Sequence, residues 1–231
     1  MKVSVAMAVY NGQPYLAQQL SSVLSQLGPA DELVVSDNGS TDGSVQQLRQ
    51  AAAQDGRIRL LSCDRTGVTA NFNCALSACT GELVFLADQD DVWLPDKLRV
   101  VCALLSRPGV SAVVHGCTWV DEALQPLERQ PAPFRRERIR AADILWRNQV
   151  QGCCLALRRE VLQRALPIPE WVPMHDSYLG LMAARQGELR CLRQPLLLYR
   201  RHRGNAGDLT ARQSLPVMLR DRWRLLRCLF R

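Results

Sequence analysis

The 231-residue sequence contains no run approaching the roughly 18 apolar residues that a membrane-spanning helix needs. It also lacks a C-x-x-C pair. Cys153 and Cys154 are adjacent and Cys74 and Cys79 are five apart, and neither spacing builds a zinc site. An odd total of nine cysteines argues against a disulfide framework, so the thiols read as small buried residues of a reduced, cytosolic protein. No small-residue cleavage site follows the apolar Val3 to Val9 run at the distance a signal peptide requires, and none is expected. Internal repeats and low-complexity stretches are absent. Aromatic residues interleaved with basic ones occur only near the C-terminal end, so no nucleic-acid partner is expected.

What is present is an ordinary globular composition, 47% hydrophobic and 22% charged, enough for one domain or two fused halves sharing a sheet. The net charge of +7 calls for an acidic counterpart, and nucleic acid, anionic lipid and a diphosphate substrate all qualify on charge alone.

Val3 to Val9 is short, apolar and closed by Tyr10-Asn11-Gly12, the pattern of a buried strand. Beyond Pro14, Leu16, Leu20, Val23, Leu24 and Leu27 recur at helical spacing. Leu33 to Val35 predicts a second strand. The turn Asp37-Asn38-Gly39-Ser40-Thr41-Asp42 carries a helix N-cap and opens a helix to about Gln54. A strand at Ile58 to Leu61, a helix at Ala70 to Ala78 and a strand at Leu83 to Leu86 follow, the last running into Asp88-Gln89-Asp90-Asp91. This alternation predicts an α/β fold with a mostly parallel sheet covered by helices on both faces. Ligands of such sheets lie beyond the carboxyl ends of the strands, where three polar clusters converge here. After Val114 the regularity weakens. A hairpin and loop are expected over 119–140, a strand from Asn148 to Leu157, a helix from His175 to Gln186, and two strands, Leu189 to Leu192 and Leu196 to Tyr199.

An apolar strand ending in D-x-D-D crowds carboxylates that raise one another's pKa unless a cation compensates. Mg²⁺ or Mn²⁺ suits such oxygens and commonly shares them with substrate phosphates, while an acidic loop capping the next helix is the plainer alternative.

A-V-Y-N-G at 8–12, S-D-N-G-S-T-D at 36–42 and F-L-A-D-Q-D-D-V-W-L-P-D-K-L at 85–98 together resemble the inverting glycosyltransferase family 2 of GT-A (Rossmann-like) fold. The D-Q-D-D-V-W form, with H-D-S-Y at 175–178, looks most like its bacterial rhamnosyltransferase-type branch. The resemblance covers about residues 1–205. It implies one catalytic domain there, with a nucleotide-sugar-binding half (1–115) and an acceptor half (116–205), followed by a basic amphipathic helix at 206–231. It implies that Ala8, Tyr10 and Asn11 line the nucleotide pocket and that Asp37 accepts a hydrogen bond from the base. Asn38 departs from the family's second acid. Asp88 would hold the ribose or the metal shell, and Asp90 would ligate the metal beside Asp91. Asp176 would be the general base for an inverting transfer, with an N-cap as its alternative and capping or packing as that of His175. Tyr199-Arg200-Arg201-His202, with Asn205 and Gly207, resembles the family's Y-R-x-H-x-x-N segment. Arg200 and Arg201 would meet the diphosphate and His202 would join the phosphates or the metal, with a solvated basic loop as the alternative. Arg65 faces either phosphate or solvent, and His115 reads as structural. The implied partners are a dTDP- or UDP-sugar donor and a carbohydrate or lipid-linked glycan acceptor, in cell-surface polysaccharide synthesis.

From Leu215 onward, Leu215, Met218, Leu219, Trp223, Leu226, Leu229 and Phe230 share one helical face, with Arg220, Arg224, Arg227 and Arg231 opposite and only Arg222 out of place. Such a helix either lies on an anionic membrane at its cytoplasmic face or docks on the protein's own core. A sugar-1-phosphate nucleotidyltransferase is excluded, because Tyr10-Asn11-Gly12-Gln13-Pro14 stands where that class carries a glycine-rich basic loop. A non-catalytic nucleotide-sugar-binding partner subunit remains the alternative function.

Overall fold

Strand β1 (Val3–Val9) lies between β2 (Glu32–Asp37) and β4 (Leu83–Asp88), parallel to both, and β3 (Ile58–Ser62) adds a fourth parallel strand beside β2. A central parallel strand is covered on both faces, which is why Val5, Ala6, Met7 and Val9 are all apolar and inaccessible. The structure, a computed structural model, describes residues 1–146, 148–202 and 214–230. The expected positions Asn205, Gly207 and Arg231 lie outside the described residues, as do the side chains of Leu215 and Phe230.

Helices α1 (Gln13–Leu24), α2 (Ser44–Gln54) and α3 (Val68–Ala78) connect these strands. Pro14 sits in the first turn of α1, where no amide is needed, and Leu16, Leu20 and Val23 form its buried stripe. The capping position of α2 is Gly43, whose side chain cannot cap. Asp42 instead accepts from Ser44 N at 2.9 Å and Gln13 N at 3.0 Å, tying together the starts of two helices. Short β5 (Val92–Trp93) and helix α4 (Lys97–Leu105) follow the acidic cluster.

The sheet continues through the second half of the chain in the order β3-β2-β1-β4-β8-β6-β9-β5, with β7 (Arg138–Ile139) against β9. Strand β8 (Leu155–Arg158) pairs antiparallel to β4 and β6 (Val110–Val120), and β6 runs parallel to β9 (Glu188–Arg200). The sheet is thus mixed, with its longest ladders parallel, and helices α5 (Ala141–Trp146), α6 (Arg159–Ala165) and α7 (His175–Gln186) cover this half.

Three local expectations are corrected. The strand expected from Asn148 begins only at Leu155, because Gly152–Cys154 winds into a 3₁₀ turn. The two strands expected after Leu189 are one thirteen-residue strand, β9. Pro195 sits within it at an irregular step of the β6 ladder, opposite Gly116. A side chain at Gly116 would strike the Arg193 carbonyl at 2.8 Å, so only glycine lets the two strands approach there. Helix α5 was not anticipated, since six residues are too few to show a period.

Candidate active site

The carboxyl ends of β1, β2 and β4 meet at one edge. Val9 is in register with Asp37, and Ala8 with Asp88, so the expected donor-site positions are neighbours across the ladder. Tyr10 is exposed, and Gln89 brackets its backbone, accepting from Tyr10 N at 2.7 Å and donating to Tyr10 O at 2.9 Å. Asn11 turns the chain at φ 50 and accepts from Thr41 N at 2.8 Å, which fixes the first loop to the second. Asp37 accepts from Gly39 N at 3.0 Å, Ser40 N at 3.1 Å and Ser40 Oγ at 2.5 Å.

Asn38 explains its own departure from the family pattern. Its amide nitrogen donates to the carbonyls of Cys63 (3.0 Å) and Arg65 (2.5 Å), and its oxygen accepts from Gly67 N at 2.9 Å. An ionised aspartate has no proton for either donation. Arg65 pairs with Glu170 at 3.0 Å, with both side chains largely exposed, which favours the surface reading.

At the end of β4, three carboxylates share little solvent. Asp91 is fully buried, and its Oδ2 has no hydrogen-bond partner among the described residues. Its Oδ1 accepts from Arg200 N at 3.2 Å. Burial, and then Asp90 and Asp88, push the Asp91 carboxyl well above its ordinary range. Burial, Asp90 and Asp176 raise Asp88 to about 7, against the pull of Cys153 and Lys97. Oxygens of Asp88 and Asp91 and the Cys153 sulfur all lie within 4.8 Å of one another. Two crowded carboxylates, one with an orphaned oxygen, fit a hard divalent cation held by oxygen.

The surroundings hold this cluster still. From α1, Gln19 donates to the Asp88 carbonyl at 2.6 Å, and Gln18 accepts from Arg200 at 2.6 Å. Arg200 is buried at the end of β9; it donates to the Asp90 carbonyl at 2.8 Å and to the Glu122 carbonyl, and lies 4.7 Å over the Tyr15 ring. Its donors therefore face the protein. His202 meets Asp90 directly, Nε2 to Oδ2 at 2.7 Å, and packs on Tyr15 with ring centres 4.7 Å apart. Arg201 lies over Trp119 at 5.7 Å, and its Nη1 is buried without a hydrogen-bond partner among the described residues.

Asp176 occupies the first turn of α7, where the helix dipole favours an acid; the capping position itself is Met174. Its carboxylate accepts from the Ser177 amide and hydroxyl and, at 3.4 Å, from Asn148. Asp176 also raises the Asp88 carboxyl, and Cys153 brings the second half of the chain against the acidic edge. Gly152 makes this possible: a side chain there would meet His175 Nε2 at 2.9 Å, so the 152–154 turn packs directly on the start of α7. His175 stacks on Phe72 with ring centres 4.3 Å apart, and burial lowers its pKa against the pull of Asp176, so it packs as a neutral ring. His115 is likewise buried, bonded to the Gly116 carbonyl at 2.8 Å, and structural.

Two contributors escaped the sequence reading. Lys97 is fully buried, with Nζ 2.9 Å from the Cys153 carbonyl and 3.9 Å over Trp93, and it interacts electrostatically with both Asp88 and Asp91. A signal existed, since Lys97 falls in register with Val101, Leu104 and Leu105 on the buried stripe of α4. Cys153 carried no spacing signal at all.

The glycosyl transferase family 2 model matches residues 4–166. An uncharacterized glycosyltransferase of Nostoc sp. is 30% identical over 215 residues, covering 89% of this chain and 66% of that protein. The Escherichia coli UDP-Glc:alpha-D-GlcNAc-diphosphoundecaprenol beta-1,3-glucosyltransferase WfgD is 30% identical over 194 residues, covering 82% of this chain and 72% of WfgD. Among solved structures, S. aureus TarS 1-349 superposes with a TM-score of 0.72 at 18% identity, over 87% of this chain and 60% of that one. The mannosyltransferase PcManGT from Pyrobaculum calidifontis, in complex with GDP-Man and Mn²⁺, gives 0.65 at 25% identity, over 89% and 58%. The chain thus spans about three fifths to two thirds of the length of several proteins it matches. With the family model over most of its length and the GT-A architecture around the acidic edge, the chain belongs to glycosyl transferase family 2.

Proposed function

We propose that the chain moves a sugar from a nucleotide-diphosphate donor to a glycan or lipid-linked acceptor, in cell-surface polysaccharide synthesis. The observation that carries this reading is the crowd of carboxylates, half-buried Asp88 with buried Asp90 and Asp91, at the carboxyl edge of a parallel sheet. Residues 1–115 hold the donor and 116–205 the acceptor. Ala8, Tyr10 and Asn11 line the nucleotide, and Asp37 faces the base. Asp88, Asp90 and His202 hold Mg²⁺ or Mn²⁺, with Asp91 behind them; the ion would supply compensation for charge developing on the departing diphosphate. PcManGT, crystallised with GDP-Man and Mn²⁺, supports the metal. Arg201 meets the phosphates, while Arg200 acts through Asp90 and Asp91, whose backbone and carboxylate it already holds.

Asp176 takes the proton of the acceptor hydroxyl as that oxygen attacks the anomeric carbon from the face opposite the leaving group, inverting the configuration. The rhamnosyltransferase-type motifs favour dTDP-rhamnose, and the likeness to WfgD favours a UDP-sugar and a lipid-diphosphate-linked acceptor. With such an acceptor, the place of work is the cytoplasmic face of a bacterial inner membrane. Among the described residues no helix is long and apolar enough to cross a membrane.

Titration calorimetry with UDP, dTDP and GDP, with and without Mn²⁺, tests the donor site beside Asp90→Ala. Tight metal-dependent binding of one nucleotide, lost in the variant, is expected. Folded wild-type protein that binds none of the three would remove the transferase reading and leave a non-catalytic binding module in first place.

A further inference from the structure

Helix α8 (Leu215–Arg227) is attached by one side and bare on another. Leu225 and Cys228 are buried against α5 and α7, and Arg185 donates to the Cys228 carbonyl at 3.0 Å. Of the apolar stripe seen in the sequence, Leu229 packs against the core while much of the rest does not. Leu219 and Trp223 on that stripe are 63% and 58% exposed, and Leu226 is exposed beside them. A second element joins them. Trp146, at the end of α5, is 75% exposed, and Arg222 donates to its carbonyl while lying 5.3 Å from its ring. Arg222 belongs to the Leu219–Leu226 ridge by helical spacing, so Trp146 flanks the same ridge. Arg227 stacks between Trp223 at 4.9 Å and Trp171 at 5.1 Å. Arg222 and Arg227 therefore flank the apolar patch, with Arg220 in line with Arg227 by helical spacing, against a single acid in the helix, Asp221, which Arg220 pairs at 3.5 Å.

We propose that this two-element patch seats the protein on an anionic lipid surface. Leucine and tryptophan side chains enter the boundary between headgroups and acyl chains, while guanidinium groups at the same depth pair with lipid phosphates. A second copy of the chain fits poorly, because a two-fold contact through this face would bring one arginine rim against the other. Docking through Leu225 and Cys228 fixes the exposed side outward, so the surface belongs to the folded protein and not to a loose tail. The inference leans on the preceding reading only for why a transferase would sit at a lipid surface, and vesicle binding requires no turnover.

Co-sedimentation of the 231-residue chain with phosphatidylcholine vesicles, with and without phosphatidylglycerol, tests the proposal. Binding to the phosphatidylglycerol vesicles that weakens with salt is expected. Paired Trp223→Glu and Leu226→Glu changes should abolish it, and Trp146→Ser, on a different helix, should weaken it several-fold. Arg220→Gln and Arg227→Gln should each cost about fivefold. An unchanged thermal midpoint in each variant separates loss of the surface from loss of the fold. Wild-type protein that stays in the supernatant, equal affinity for neutral vesicles, or a Trp146→Ser variant that binds undiminished overturns the proposal. So does a dimer in solution that the Trp223→Glu, Leu226→Glu pair converts to monomer. Vesicle binding without nucleotide binding would leave this inference standing and remove the transferase.

Discussion

The two ends of the parallel ladder β3-β2-β1-β4 each carry buried acids, in opposite condition. At the amino end, Glu32 accepts from Ser4 Oγ at 2.6 Å, Thr80 N at 2.6 Å and Thr80 Oγ at 2.7 Å, and pairs with Arg59 at 3.2 Å. Burial pushes its carboxyl up, yet these donors outweigh burial and hold it at about 2. At the carboxyl end, Asp88 is raised to about 7 and Asp91 keeps an oxygen without a partner. The same sheet can thus satisfy a carboxylate fully or leave it wanting a cation, and only the second arrangement can hold a ligand. Glu32 ties strands together, whereas the carboxyl end leaves its acids without full compensation.

The largest effect that could break this contrast is catalytic. Asp90→Asn should lower sugar transfer by about 10³-fold, since an ion there offsets leaving-group charge worth several kcal/mol. Its metal-free thermal midpoint should hold or rise, because one of three crowded carboxyl groups can no longer ionise. Glu32→Gln should do the reverse, costing about 3 kcal/mol of stability while leaving transfer by the folded protein unchanged. Chemical denaturation and transfer assays on the two variants together check the pair, and loss of both properties in either would dissolve the distinction.

The next effect concerns pH. Asp88 has a folded pKa raised above its unfolded value near 3.9. Its contribution is therefore complete below about pH 4 and is lost as pH rises toward about 7. Glu32 has the opposite sign, and its contribution is lost as pH falls from about 4.5 toward 2. The metal-free thermal midpoint should accordingly decline between about pH 5 and 7 and then level, and saturating Mn²⁺ should remove the decline. A flat metal-free profile would show that the carboxyl end carries no electrostatic strain.

The smallest effect sharpens the loop beyond β2. Asn38→Asp restores the family's acid but removes two donations to carbonyls, at a cost of about 1–2 kcal/mol. Nucleotide affinity should fall only a few-fold, since Asp37 keeps its three donors. A gain in affinity would mean that the acid matters more than the loop it would loosen.

Much of the carboxyl end was legible in the sequence because strand, turn and helix each announce themselves locally there. Val3 to Val9 followed by Tyr-Asn-Gly is one example, and an apolar strand running into D-x-D-D is another. The second half was harder to read for physical reasons. Strand β8 is short and begins after a 3₁₀ turn, and β9 passes through Pro195, a residue that ordinarily ends a strand, at a ladder irregularity. Cys153 reaches Asp88 and Asp91 from an element remote in sequence, and no local spacing encodes that meeting. Among the described residues the last α-helix spans Leu215–Arg227, and Leu219, Trp223 and Leu226 of the expected stripe are exposed on it. Its buried contact lies on Leu225 and Cys228 instead, because docking selected a narrower face than hydrophobic periodicity did.

The single strand β9 also sets where the protein can tolerate a change of length. It runs from its pairing with β7 to Arg200 at the acidic edge, so deleting one residue anywhere along it would turn every following side chain to the other face of the sheet. The loop at 121–137 is anchored instead at its base, where Gln130 both accepts from Trp119 N at 2.8 Å and donates to its carbonyl at 2.9 Å. Doubling a loop costs only about 0.6 kcal/mol in closure entropy. Insertions and deletions among descendants of this chain should therefore accumulate in 121–137, leaving the frame between Glu188 and Arg200 untouched while the surroundings of the acceptor diversify.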